Sequence, residues 1–258
     1  MKTKSLLKAA VQVILLTIAG MIAMIVSSRL IPQPAIVNAA AADPSPIAFP
    51  MVLLTRFVIA LAVYYAIRVS SAGGAKLMLY LFCAMAGFSA IMSHMETLFF
   101  AKAFPALSYA DILLLGLTGL ATSMIFTPLA VLIMSRIRRT EIPSEPVWQK
   151  GFAVKLLVLA AIYPAVYFFF GYFVAFRFQE IREFYSNDPV LNNTLILAGF
   201  QVFRGALWVL FGLPFLSFVK DRKHKILVSA AFYSIFVAIG LITPNPLMPF
   251  QVRIRSFY

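Results

Sequence analysis

Long apolar runs, separated by short stretches that contain polar, glycine and proline residues, dominate the chain. A helix needs about 20 consecutive, mostly apolar residues to cross the hydrocarbon core of a bilayer. Seven runs reach this length, at 6–27, 49–69, 77–100, 112–134, 152–176, 194–219 and 226–243. The pattern therefore predicts an all-α fold, a polytopic transmembrane helix bundle of about seven spans that forms a single integral membrane domain over residues 1–258.

The first run has a second interpretation, because a basic start followed by an apolar stretch also resembles a signal peptide. Its apolar part is long for that role, and the small residues of a cleavage site occur only in the segment 38–43. We expect the first run to be a span. Cleavage would leave six spans and would not change the orientation of the others.

Positively charged residues predict the orientation, since Lys and Arg accumulate in short cytoplasmic loops. With the N-terminus inside, 13 of the 22 Lys and Arg residues lie in inner segments, 6 in outer segments and 3 within runs. This bias predicts that the N-terminus is inside and the C-terminus outside. Short loops and the lack of a soluble domain favour a bacterial cytoplasmic membrane.

Composition agrees with a bilayer environment, because 62% of the residues are hydrophobic, 12% are charged and the mean hydropathy is +0.92. A net charge of +13 would indicate nucleic-acid binding in a soluble protein. Here the charge follows the predicted orientation, so we expect the lipid bilayer as partner and no nucleic acid.

Ionisable side chains inside the predicted spans are the strongest candidates for function, because they are costly in hydrocarbon and usually face a partner or a water-filled cavity. Arg56 and Arg204 lie about 10 and 15 Å from the outer ends of their spans. Glu96 lies in the outer half of the third span. Gln201 precedes Arg204 by three residues and shares its helix face.

These four residues have two interpretations. In the structural one, Arg204 pairs with Glu96 to fix helix packing, while Arg56 extends to the outer interface. In the functional one, Arg56, Glu96, Gln201 and Arg204 form an outward-facing pocket for a carboxylate, a phosphate or a lipid head group, since an arginine fork suits such anions.

Few residues support catalysis or metal binding. His94 is predicted near the outer surface and His224 in an inner loop, so a bilayer thickness of about 30 Å separates them. His94 and Glu96, about 200° apart around one helix, are not expected to share a site. A single cysteine, Cys83, cannot form an internal disulfide or a cysteine-based metal cluster. We expect no catalytic residue, no metal and no cofactor.

Three functions remain open. The first is a transporter or transport-complex subunit with an outward-facing anion-binding pocket. The second is a non-catalytic assembly, sensor or scaffold subunit with other membrane subunits as partners. The third is an outer-leaflet lipid-modifying enzyme with Glu96 or His94 as base. Beyond the fifth span, the amphipathic segment 174–189 has two interpretations as well, an interfacial helix or a gate over the outer mouth.

Overall fold

The chain folds into helices joined by short links. The computed structural model describes residues 2–42, 47–137, 150–186, 188–219 and 221–242, and no β-strand occurs in these ranges. The α-helices are α1 (Lys2–Leu30), α2 (Ala35–Ala42), α3 (Ala48–Val69), α4 (Gly74–Met85), α5 (Met92–Phe99), α6 (Tyr109–Ile133), α7 (Phe152–Phe173), α8 (Gln179–Tyr185), α9 (Thr194–Leu216) and α10 (Arg222–Ile242). Three short 3₁₀ turns, Ala101–Ala103, Ala175–Arg177 and Pro189–Asn192, lie in the links.

Six helical segments of the described chain are long and apolar enough to cross a membrane: Ser5–Leu30, Ala48–Val69, Gly74–Phe99, Tyr109–Ile133, Phe152–Arg177 and Thr194–Leu213. They coincide with the first six predicted runs, and the chain is therefore an integral membrane protein. The seventh run, 226–243, corresponds to α10. Its crossing of the membrane and the orientation of the bundle stay predictions, and the inner-loop arginines Arg138 and Arg139 lie outside the described residues.

The first helix is an integral part of the packing. One face of α1, with Leu16 and Ala23, is buried, whereas Ile14, Ile18 and Ile25 are exposed. The buried face contacts α3 and α6. Exposed aliphatic side chains on the other face are typical of a helix surrounded by lipid.

Close approach between the helices depends on small residues. A Cβ atom at Gly119 of α6 would lie 2.8 Å from Cβ of Ala90, and one at Gly205 of α9 would lie 2.7 Å from Cβ of Tyr163. Helix α7 packs mainly on α9, while α9 also contacts α4. Helix α9 is therefore the element that connects α7 to the rest of the bundle.

The third span is not a continuous α-helix. Residues Ala86–Ile91 form a π-helical segment between α4 and α5. Gly87 lies in this segment, and a Cβ atom there would overlap the ring of Phe211 on α9. Six π-helical residues turn through about 100° less than six α-helical residues. The direction in which α5 presents Glu96 therefore depends on this segment.

Backbone contacts join the helix ends on the side that holds residues 69–74. Ser71 donates from its backbone N and from Oγ to the carbonyl oxygen of Phe218, each at 2.8 Å. Nη2 of Arg136 donates to the carbonyl oxygens of Ile67 and Arg68, both at 3.0 Å. A cation at these carbonyls stabilises the C-terminal end of α3.

At the opposite end of the bundle, six buried residues form what we call the Phe100 cluster: Phe100, Ala103, Phe104, Leu107, Ile112 and Leu197. Helix α8 packs on it through ring contacts of Phe184 with Phe104 and of Tyr185 with Phe100. Ile181 of α8 is buried, while Arg182 is exposed. The predicted amphipathic pattern of this segment is thus confirmed, and its apolar face lies on the bundle.

Candidate functional site

The predicted partnership of Arg204 and Glu96 is confirmed. Nη2 of Arg204 donates to Oε2 of Glu96 at 2.7 Å, and Nη1 donates to Oε1 at 3.0 Å. These two parallel bonds use the end of the guanidinium group that carries Nη1 and Nη2. A bidentate geometry of this kind is among the strongest side-chain interactions in proteins. The pair joins α5 to α9.

Gln201 extends the pair along α9. Its Oε1 accepts a second bond from Nη1 of Arg204, at 3.1 Å. We call Glu96, Gln201 and Arg204 the Arg204 triad. Gln201 is 0% exposed, and the side chain of Arg204 is 5% exposed against 38% for Glu96. Glu96 is therefore the most exposed member of the triad.

Aromatic rings surround the guanidinium group. The rings of Tyr163 on α7 and Phe200 on α9 both have their centroids 5.7 Å from Cζ of Arg204. Phe200 stacks on Phe99 with 3.6 Å between ring centroids, and the hydroxyl of Tyr163 accepts a hydrogen bond from Nε1 of Trp208 at 3.2 Å. Rings that face a cation stabilise it by cation–π attraction. They also exclude water from it.

Two buried donors in the triad have no hydrogen-bond partner among the described residues, Nε of Arg204 and Nε2 of Gln201. A guanidinium group has five N–H bonds. Nη1 uses two of them and Nη2 uses one. The edge formed by Nε and the second N–H of Nη2 is therefore free of described partners, and it has the fork geometry that a carboxylate or phosphate requires.

Gln201 cannot satisfy its amide nitrogen by exchanging the positions of its two terminal atoms. If the side-chain amide were turned over, its N–H groups would face Nη1 of Arg204, which is also a donor. The orientation with Oε1 toward Arg204 is the one that hydrogen bonding requires. Its Nε2 is consequently a second buried donor beside the ion pair.

Arg56 is not brought into contact with the triad in the described structure. Its Cδ lies 3.7 Å from the position of a Cβ atom at Gly20 of α1, which is also 3.7 Å from the ring of Phe126 on α6. Along the axis of α6, Phe126 lies about 15 Å from Gly116, the residue that His94 faces near the triad. Nε of Arg56 is buried and has no described hydrogen-bond partner. The α1–α3–α6 side of the bundle therefore holds a cation separate from the triad.

Tyr185 is the residue of α8 that lies near Glu96 and Arg204. Burial raises the pKa of its phenol, the nearby Glu96 carboxylate raises it further and Arg204 opposes these effects. The phenol therefore stays protonated and can donate a hydrogen bond. The sequence did not predict Tyr185 here, because its approach depends on packing between α8 and the Phe100 cluster. Phe200 was also missed, although its position one turn before Arg204 was a usable signal.

His94 lies on another face of α5, as predicted. Its Nδ1 is 2.7 Å from the carbonyl oxygen of Ala90, and its Cβ faces Gly116 of α6. Within the described ranges, no group of three His, Cys, Asp or Glu side chains is arranged to hold a metal ion. The chemistry that this site offers is ion pairing and hydrogen-bond donation.

Comparison with protein-family models, with curated proteins and with solved structures finds no match to this chain.

Proposed function

We propose that the protein is a transporter or transport-complex subunit of a bacterial cytoplasmic membrane, and that the Arg204 triad is its outward-facing anion-binding site. The observation that carries the proposal is the pair of buried donors, Nε of Arg204 and Nε2 of Gln201, without described partners. Unsatisfied buried donors are costly, and a ligand with acceptor oxygens would satisfy them.

The ligand class follows from the free edge of the guanidinium group. Two N–H bonds that point the same way suit two oxygens of one carboxylate, phosphate or lipid head group. Arg56, which the sequence placed in the same pocket, is left out of this proposed site because its described contacts lie between α1 and α6. Glu96, Gln201 and Arg204 remain.

The triad supports an outer-leaflet enzyme less well. Both carboxylate oxygens of Glu96 accept from Arg204, so the carboxylate is not a free base. His94 faces α6 and bonds to Ala90. The non-catalytic alternative has one observation in its favour, since a neutral bidentate pair between two helices also fixes their packing.

Water access to the triad can be tested at Ser93, which is exposed one turn before Glu96 on the same helix face. In a Cys83→Ala background, we expect Ser93→Cys to react with a charged, membrane-impermeant thiol reagent added outside. Ser123→Cys is the matched control, since Ser123 is buried on α6. A Ser93→Cys variant that is folded but unreactive with the reagent on either side of the membrane would mean that Glu96 faces lipid, and the non-catalytic alternative would then be favoured.

Binding itself can be measured with methanesulfonate, a strong-acid anion that stays ionised at all usable pH values, on the full chain in lipid nanodiscs. We expect Arg204→Lys to weaken binding by about tenfold or more, because lysine lacks the fork. Arg182→Lys on α8 is the matched control, since Arg182 is exposed and bonds to the carbonyl oxygen of Phe176. Equal affinity in both variants would contradict the proposed site.

A further inference from the structure

We infer, on the basis of the proposed function, that an anion binds the Arg204 triad together with one proton, which is taken up by the carboxylate of Glu96. The inference comes from the charge of the site. One guanidinium and one carboxylate form a neutral pair, and both of its direct bonds are short. A second negative charge beside this pair would leave the site with a net charge of −1.

No cation near the triad compensates that charge among the described residues. The neighbouring titratable groups are phenols: Tyr163 and Tyr167 on α7 and Tyr185 on α8. Asp188, which also lies near Tyr185, is an acid and supplies no positive charge. On the α6 side, His94 bonds to the carbonyl oxygen of Ala90 and faces away from the pair.

The other cations described at this end of the bundle are exposed, and Asp111 is engaged elsewhere. Asp111 forms a capping box with Ser108 at the start of α6. Lys102, Arg177 and Arg182 have exposed side chains. Because a net charge is costly in a partly buried site, binding of an anion without a compensating cation is unfavourable.

A proton bound to Glu96 cancels the extra negative charge. Glu96 is the one member of the triad with an exposed side chain. In the balanced step, an anion and a proton enter from the outer solution. The proton bonds to a carboxylate oxygen of Glu96, and the carboxyl group releases at least one of its bonds to Arg204. The guanidinium then pairs with the incoming anion, so the site remains neutral before and after binding.

The stoichiometry can be measured by titration calorimetry of the full chain in nanodiscs with methanesulfonate, in two buffers of different ionisation enthalpy. We expect uptake of one proton per anion bound. The apparent Kd should then rise by about tenfold per pH unit wherever Glu96 is ionised in the ligand-free protein. Infrared difference spectra should show a carboxylic-acid band on binding.

Glu96→Gln should bind methanesulfonate with no proton uptake, with a Kd independent of pH and without the infrared band. Glu183→Gln on α8 is the matched control, because Glu183 is exposed, and it should behave as the unchanged protein. Binding without proton uptake in the unchanged protein would overturn the inference and leave the proposed function standing. Proton uptake that persists in Glu96→Gln would also overturn it. Absence of binding at every pH would overturn the proposed function as well.

Discussion

At the residue scale, the contrast between Arg204 and Arg56 shows how differently two intramembrane arginines can be accommodated. Arg204 is neutralised by Glu96 through two parallel bonds. A Cβ atom at Gly20 of α1 would lie 3.7 Å from Cδ of Arg56, and Nε of Arg56 has no described hydrogen-bond partner. The first arrangement pairs the cation with an acid, whereas the second leaves Nε of the cation without a described acceptor.

The bidentate pair predicts the outcome of a charge-swap cycle. We expect Arg204→Glu and Glu96→Arg each to lower the free energy of unfolding by about 3 kcal/mol, because each leaves like charges together in a buried site. The double variant should recover part of that loss. Thermal melting in mild detergent measures all three. Single variants as stable as the unchanged protein would show that the pair is absent in the membrane-extracted protein.

The sequence predicted the pair because depth, charge and helix face all follow from the spacing of residues along a helix. It did not separate Arg56 from the triad, because depth within a span does not reveal which neighbouring helices a residue faces. That information depends on helix order in the bundle. Contacts of α3 with α1, rather than with α9, decide the surroundings of Arg56.

At the element scale, α9 organises the site. It carries Gln201 and Arg204 on one face and Gly205 against α7. A Cβ atom at Gly205 would lie 3.0 Å from the carbonyl oxygen of Ala160, a backbone atom that cannot move aside alone. This glycine lets Tyr163 approach Arg204, so the packing of α7 and the geometry of the triad are coupled.

Gly205→Ala should therefore separate α7 from α9. We expect it to lower the free energy of unfolding by about 1–3 kcal/mol through overpacking. Gly199→Ala is the matched control on the same helix, because a Cβ atom there meets no other atom within 4 Å. It should leave the stability unchanged or raise it by up to about 1 kcal/mol through helix propensity. Equal melting temperatures for the two variants would contradict the packing of α7 on α9.

At this scale, the sequence predicted where the helices lie, but it did not predict that part of one helix is π-helical rather than α-helical. Apolar length identifies the third span, since the segment Gly74–Phe99 is mostly hydrophobic. The same run contains the π-helical segment Ala86–Ile91, whose residues are as apolar as their α-helical neighbours. Hydropathy carries no information about that change, so a side-chain direction extrapolated from α4 to Glu96 would assume a regular helix that the chain does not keep.

At the scale of the whole molecule, six helical segments are long and apolar enough to cross a membrane. We predict that these segments and α10 alternate in direction, because a span followed by a short link must return toward the side from which it came. The links beyond α3 and α9 are joined through Ser71 and Phe218, as expected if both lie on one side of the membrane. Charge bias predicts that this side is the cytoplasm.

Cysteine labelling on intact spheroplasts tests the orientation in a Cys83→Ala background. We expect an impermeant thiol reagent to modify Ser186→Cys, which follows α8, and to modify Lys223→Cys only after the membrane is opened. Both side chains are exposed in the structure. The reverse pattern would place the N-terminus outside and would turn the triad toward the cytoplasm.

The π-helical segment has a consequence for how the chain tolerates changes in length. Because Ala86–Ile91 holds one residue more than a regular helix needs for the same turn, deletion of one residue there restores an α-helix and leaves α4 and α5 facing their present neighbours. A deletion in the α-helical residues between the packed part of α4 and Glu96 would instead rotate Glu96 by about 100° relative to α4. Descendants of a common ancestor could thus differ in the length of this span by one residue and keep the acid opposite the arginine, with the alignment gap falling at 86–91.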